Sequence, residues 1–108
     1  MGYRVLDIST IEGRRKLVAS GLEAAAIRMN QFDNEPDQAG KEHDERESGQ
    51  EEIYTALRGR GVLRVDGEEI ALDPGRYVLV EPGSTRQVAA GPDGLSYLVV
   101  GAEVVFPA

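Results

Sequence analysis

The most constraining feature of this chain is the cadence of its turns. From Ile53 onward, breaks carrying glycine or proline recur about every eight residues, the spacing of short strands rather than of helices. They are Gly59-Arg60-Gly61, Asp66-Gly67, Asp73-Pro74-Gly75, Pro82-Gly83 and Gly91-Pro92-Asp93-Gly94. Asp66-Gly67 is the strongest of these, because both residue types tolerate the positive φ angles of a two-residue hairpin turn. Between the breaks lie short strand-like runs: Ile53–Leu57, Val62–Val65, Glu69–Leu72, Tyr77–Val80, Gln87–Ala89 and Leu95–Val100, with Val104-Val105-Phe106 behind them. This pattern predicts an all-β sandwich or barrel rather than alternating strands and helices.

Several of these runs are apolar on both faces. Ile53 and Leu57 point one way while Tyr54 and Ala56 point the other, and Tyr77–Val80 is apolar throughout. A strand wet on one face should alternate, so a second layer is expected over the outer face, either the N-terminal strand or another subunit. The N-terminal half reads less sharply. Tyr3–Ile8 has the character of a strand. Ser9 or Thr10 can cap a short helix through Arg14-Arg15-Lys16-Leu17, weakened by Gly13. Leu22–Met29 has helical propensity, but a strand suits the rest of the pattern better. Asn30–Gly40 reads as a loop.

Composition narrows the function classes. At 108 residues the chain forms one domain over 1–108, long enough for a core without staples. It has no cysteine, which removes disulfides, thiolate ligands and cysteine nucleophiles and fits a cytoplasmic location. No apolar run approaches the roughly 20 residues of a membrane span, and the N-terminus lacks a signal-peptide pattern, so no membrane partner is expected. The net charge of −7 argues against a nucleic-acid partner. Much of the acid lies between Glu35 and Glu52, as either a solvated loop or a carboxylate-lined mouth.

The region around the single histidine, GKEHDERESGQEEIYTALRGRG, followed by GRYVLVEPGSTRQ, resembles the two motifs of a cupin barrel. The resemblance covers about 40–100, with N-terminal strands implied over 1–39, and it implies a double-stranded β-helix, or jelly-roll, fold. In the first motif, Glu52, six residues and Gly59 match, and His43 followed by Glu45 stands at the His-x-His place with glutamate for the second histidine. The spacer from Glu45 to Glu52 is longer than the motif's, and Asp37 stands where the leading glycine belongs. In the second motif, Gly75, Glu81-Pro82-Gly83 and Arg86 keep the length, with arginine in place of the final histidine. The family's usual metal is held by three histidines and a glutamate, and a chain with one histidine cannot supply that set.

The substitutions set the chemistry expected of the site. His43, Glu45 and Glu52 would leave one nitrogen and two carboxylates, a possible set for manganese, zinc, iron or nickel if a metal binds. Arg86 carries a permanent charge and has no lone pair to donate, so it is expected to pair with Glu52 or Glu45 and replace the metal. His43 can be an exposed loop residue, a ligand or an acid–base group, and Arg86 a rim residue or a pocket one. Tyr54 and Tyr97 read as pocket wall or core.

Three functions follow as expectations. The first is a barrel, with no metal cofactor, that binds a small polar or anionic molecule through Arg86, Glu52, Tyr54 and His43. The second is a metal-dependent dioxygenase, isomerase or decarboxylase using His43, Glu45 and Glu52. The third is a non-catalytic interaction or regulatory module. A homodimer is expected, as the resemblance implies.

Overall fold

The computed structural model describes residues 2–105. Val104 and Val105 carry no strand, and Phe106 lies outside the described residues. Six strands form one antiparallel sheet: β1 (Arg15–Lys16), β2 (Arg28–Asn34), β3 (Gln50–Val65), β4 (Glu68–Leu72), β5 (Tyr77–Val80) and β6 (Arg86–Glu103). The order is β1-β2-β6-β3-β4, and β5 also pairs with β3. β3 and β6 form a long two-stranded ribbon. On its other side β3 binds β5 through Glu52–Thr55 and then β4 through Gly61–Val65. A single 4-residue helix, α1 (Val18–Gly21), follows β1. No helix among the described residues is long and apolar enough to cross a membrane.

Two expected turns are not turns. β3 runs straight through Gly59-Arg60-Gly61, and β6 runs through Gly91–Gly94. Gly59 pairs with Leu95 and Gly61 with Ala90, so Arg60 faces the whole Gly91–Gly94 insertion. The two sequence breaks are therefore one irregularity in the ribbon, a bulge that bends both strands. A second register shift, between Ala56 and Arg58, lies nearby, and the two together account for a change of phase. Inward residues of β3 are Tyr54 and Ala56 before the Ala56/Arg58 shift and Leu63 after it, while those of β6 are Val88 and Ala90 before the Gly91–Gly94 insertion and Leu95, Tyr97 and Val99 after it. A ribbon without these irregularities would expose half of these side chains. Glycine is required here because the backbones meet. A Cβ on Gly59, whose φ is +76°, would lie 2.3 Å from the Gly94 carbonyl oxygen, and one on Gly61 would lie 2.3 Å from that of Ala89.

The other turns fall where the sequence puts them. Asp66 and Gly67 both have positive φ and join β3 to β4. Arg76 N–H donates to the Asp73 carbonyl, and Ser84 N–H to that of Glu81, closing turns before and after β5.

The N-terminal half departs from expectation. Residues 3–7 form no strand, and Asp7, not Ser9 or Thr10, caps a short 3-10 turn at Ile8–Thr10. Arg15-Lys16 is a strand rather than a helix. The expected strand at Leu22–Met29 begins only at Arg28 and continues through Asn34, inside the stretch read as a loop. Nor does the N-terminal segment bury the outer face of the sheet, where Ile53, Leu57, Tyr77 and Leu79 remain exposed.

Candidate functional site

The barrel interior is laid out in cross-strand rows. Antiparallel partners share a face. Arg28, Gly101, Glu52 and Val80 form one row across β2, β6, β3 and β5. Asn30, Val99, Tyr54 and Val78 form the next, and Phe32, Tyr97 and Ala56 the third. Gly101 has no side chain between Arg28 and Glu52, and Glu52 uses that space: a Cβ on Gly101 would lie 3.3 Å from Glu52 Cγ. An aromatic ladder forms the wall, with Phe32 stacked on Tyr97 at 5.1 Å and Tyr97 on Tyr54 at 6.3 Å between ring centroids. Arg14 closes its outer end, its guanidinium 5.1 Å above the Phe32 ring and its Nη1 donating to Asn34 Oδ1 at 2.7 Å.

The segment before β3 brings His43 and Glu45 to the same cavity. His43 and Arg86 exchange backbone hydrogen bonds, N–H to carbonyl in both directions at 2.9 and 2.8 Å, and Glu45 N–H donates to the Pro82 carbonyl. These bonds lay the His43–Glu45 stretch along the start of β6. His43 Nδ1 then sits 3.0 Å from Glu45 Oε2, while Ser48 Oγ donates to Glu45 Oε1 at 2.9 Å. One donor atom from each of His43, Glu45 and Glu52 falls within 4.8 Å of the others. The structure thus places His43, Glu45, Glu52, Tyr54 and Arg86 around one cavity of about 690 Å³. The acidic run is split: Glu45 and Glu52 turn toward the cavity, while Glu35, Asp37, Glu42, Glu47 and Glu51 are exposed.

Arg86 points inward and is sealed, with 0% exposure, while Glu52 keeps 13%. Its Nε lies 3.7 Å from Glu52 Oε1, an ion pair longer than a hydrogen bond. Nη2 donates to the carbonyls of Val80 and Glu81, and Nε and Nη1 have no hydrogen-bond partner. Glu52 also accepts from the Tyr54 hydroxyl at 2.8 Å. Burial, then the Glu52 charge and the hydrogen bond to it, push the Tyr54 phenol far above its ordinary value, so it stays a donor to that carboxylate. Burial also raises Tyr97, opposed by the Arg14 charge and a hydrogen bond from it.

Spacing alone admits a metal ion at His43, Glu45 and Glu52. The fourth position does not fit one. Arg86 has no lone pair to offer a metal, and its fixed positive charge 3.7 Å from Glu52 Oε1 opposes a dication at that carboxylate. The unpartnered N–H groups of a buried guanidinium call for an acceptor beside them, not a second cation.

Sequence reasoning missed the basic side of the cavity. Arg14, Arg15, Arg28 and Lys41 line it as well. The Arg14-Arg15 pair was visible, but its place depends on β1 pairing with β2, for which no local pattern exists.

A family model described as a cupin domain matches residues 33–101. No curated protein matches the chain. Among solved structures, a cupin protein from Bacteroides fragilis superposes with a TM-score of 0.84 at 21% identity, covering 100% of this chain and 90% of that one. A sugar phosphate isomerase of the cupin superfamily from Silicibacter pomeroyi gives 0.77 at 20% identity, covering 94% and 76%. A predicted oxalate decarboxylase from Thermotoga maritima gives 0.67 at 20% identity, covering 80% and 74%. At such identities the likeness to these structures shows a common fold.

Proposed function

This chain belongs to the cupin domain family, and on that premise we propose that it binds a small polar or anionic molecule in the barrel without the family's usual metal. One observation carries the reading. The position that would complete the metal site holds Arg86, sealed beside Glu52 with its Nε and Nη1 nitrogens unpaired. A permanent cation there takes the electrostatic part that a metal would otherwise fill, and it has no lone pair to offer one. Glu52, held by Tyr54 from one side and Arg86 from the other, becomes a fixed acceptor for a ligand hydroxyl or amine. The His43–Glu45 pair offers a second polar contact on the same wall. The aromatic ladder supplies the apolar remainder that small-molecule pockets need for affinity.

Calorimetric titration with zinc, manganese, iron and nickel tests this. Weak or no heat is expected. Stoichiometric binding tight enough to survive dialysis overturns it. The cluster of His43, Glu45 and Glu52 donors within 4.8 Å favours a second reading, a metal-dependent enzyme, and that reading requires His43→Ala to abolish metal content.

The protein is also proposed to act as a homodimer in the cytoplasm. The dimer is supported by the uncovered outer face of the β5–β3 pair, where Tyr77 is 72% and Leu79 55% exposed beside Ile53 and Leu57. Light scattering at the mass of one chain removes this support.

A further inference from the structure

The proposed ligand pocket is polarised, and the polarity runs against the net charge of the chain. The chain has 19 acidic and 12 basic residues, and half of its ten arginines lie beside a carboxylate. Arg46, Arg58, Arg60, Arg64 and Arg86 each have one within 4.0 Å. Seven basic residues form no such pair among the described residues, and four of the seven, Arg14, Arg15, Arg28 and Lys41, line the cavity that holds Glu52 (the others are Arg4, Lys16 and Arg76). Arg14 is fixed over Phe32 and bound to Asn34, whereas Arg15, Arg28 and Lys41 are exposed. Arg86 lies at the opposite pole, behind Glu52, with no surface for a ligand to touch.

The register fixes the distance between the poles. Arg28 and Glu52 share a row with only Gly101 between them, so their Cα atoms are two inter-strand spacings apart, about 10 Å. The Gln50 and Glu52 side chains lean over Gly101, with Gln50 Oε1 2.9 Å and Glu52 Cγ 3.3 Å from where a Cβ would stand, so the gap is floored by one amide and one carboxylate. A small molecule lying across Gly101 can therefore touch both ends.

We infer that the β1–β2 rim receives an oxyanion, the carboxylate or phosphate of the ligand, on Arg15, Arg28 and Lys41, while hydroxyl groups at the ligand's other end reach Glu52 and Glu45. The inference rests on the binding reading above and adds the ligand class: a hydroxylated small acid or phosphate ester, oriented with its anion away from Arg86. Guanidinium groups suit this because they bind such oxyanions through paired N–H donors. The carboxylates at the far pole reject a second anion and accept hydroxyls.

The test is amide chemical-shift titration with inorganic phosphate, sodium acetate and the neutral polyol xylitol, at low ionic strength. Phosphate or acetate is expected to move amides around Arg28 and Gly101, and which of the two binds more tightly identifies the anion. Arg28→Gln should weaken phosphate binding roughly tenfold, the usual worth of a charge-assisted hydrogen bond, and Arg15→Gln with it should weaken it further. Arg76→Gln, at an exposed arginine outside the cavity, should leave it unchanged. Xylitol should still move amides near Glu52 in Arg28→Gln. The inference is overturned if phosphate and acetate move no rim amide, or if Arg76→Gln weakens binding as much as Arg28→Gln. Its failure is separable from that of the binding reading. Xylitol shifts without a phosphate response sink the rim assignment alone, while tight zinc binding in calorimetry sinks the metal-free pocket whatever the rim does.

Discussion

Replacing Arg86 by methionine isolates the one buried charge on which the pocket depends. Arg86 is 0% exposed and Glu52 is 13% exposed, so Arg86→Met leaves a carboxylate largely out of water with only the Tyr54 hydroxyl as donor. Breaking a buried pair from one side costs about 3–5 kcal/mol. The low end applies here, about 3 kcal/mol, because the pair is 3.7 Å apart and Glu52 retains some access to water. For a domain of this size that is a fall of about 12–24 °C in Tm. Replacing Glu52 alone strands the guanidinium and should cost a similar amount. Replacing both, with Arg86→Met and Glu52→Met, removes the charges together and should return close to wild type, since apolar substitutes for a whole buried pair are often neutral. The double-mutant cycle should thus show a coupling of about 6 kcal/mol, the two single costs recovered together, far above the few tenths typical of independent sites. Urea denaturation at one fixed protein concentration measures it, with m-values required to agree. The reasoning is refuted if Arg86→Met lies within about 0.5 kcal/mol of wild type, the range of an ordinary surface change. It also fails if the double mutant costs the sum of the singles.

Arg86→His swaps the cation for a lone-pair donor beside His43, Glu45 and Glu52, and calorimetry should show zinc or nickel binding gained by at least about tenfold over wild type; equal affinity in both proteins counts against the charge argument. Gly61→Ala places a Cβ 2.3 Å from a backbone oxygen in the ribbon and should cost about 3 kcal/mol. Gly67→Ala, at a turn apex with open space but φ of +86°, should cost only about 1 kcal/mol, so a reversed order in urea melts contradicts the bulge assignment. Because Tyr54 and Tyr97 are raised in the folded state, their contribution is intact below the unfolded value near 10 and is lost as pH climbs above it, for Tyr54 by about 1.4 kcal/mol per pH unit. Their phenolate absorbance should rise together with loss of the circular dichroism signal, and Tyr54→Phe should shift that transition to higher pH. Phenolate from Tyr54 appearing in the folded protein would contradict the hydrogen bond to Glu52.

The turns and the barrel were legible because their causes are local. Asp66-Gly67 needs only two residues that accept positive φ, and the structure has both there. Strand continuity was not legible. Glycine at 59, 61, 91 and 94 marks close backbone approach, and a sequence read from one strand cannot distinguish a chain reversal from a bulge. Only pairing resolves it, since Arg60 stands against Gly91–Gly94 and makes two apparent breaks one. β2 was misplaced for a related reason. Asn30, Gln31, Asp33 and Asn34 look like a loop, but Asn30 faces a polar cavity and Asn34 is buried with Arg14 and the Gln38 carbonyl as partners. A strand that lines a wet pocket does not advertise itself by apolar alternation.

The site was legible in proportion to how far its residues sit from the sequence neighbours that define them. His43, Glu45 and Glu52 fall in one stretch, and their convergence within 4.8 Å follows from a strand and the segment leading into it. Arg86 was found through the length of a motif, but its burial behind Glu52 depends on the turn after β5 presenting the Val80 and Glu81 carbonyls to it. The basic rim had no such signal. Arg14, Arg15 and Arg28 reach the cavity because β2 pairs with the far end of β6, from Leu95 to Gly101, a contact between segments more than 60 residues apart in sequence. Net charge misled here in a physically definite way. A total of −7 describes the long-range field, which is screened beyond about 8 Å at physiological salt, whereas a ligand inside the barrel feels the few groups within that distance. An acidic protein can therefore hold an anion, and the salt dependence of that binding reports the rim rather than the whole molecule.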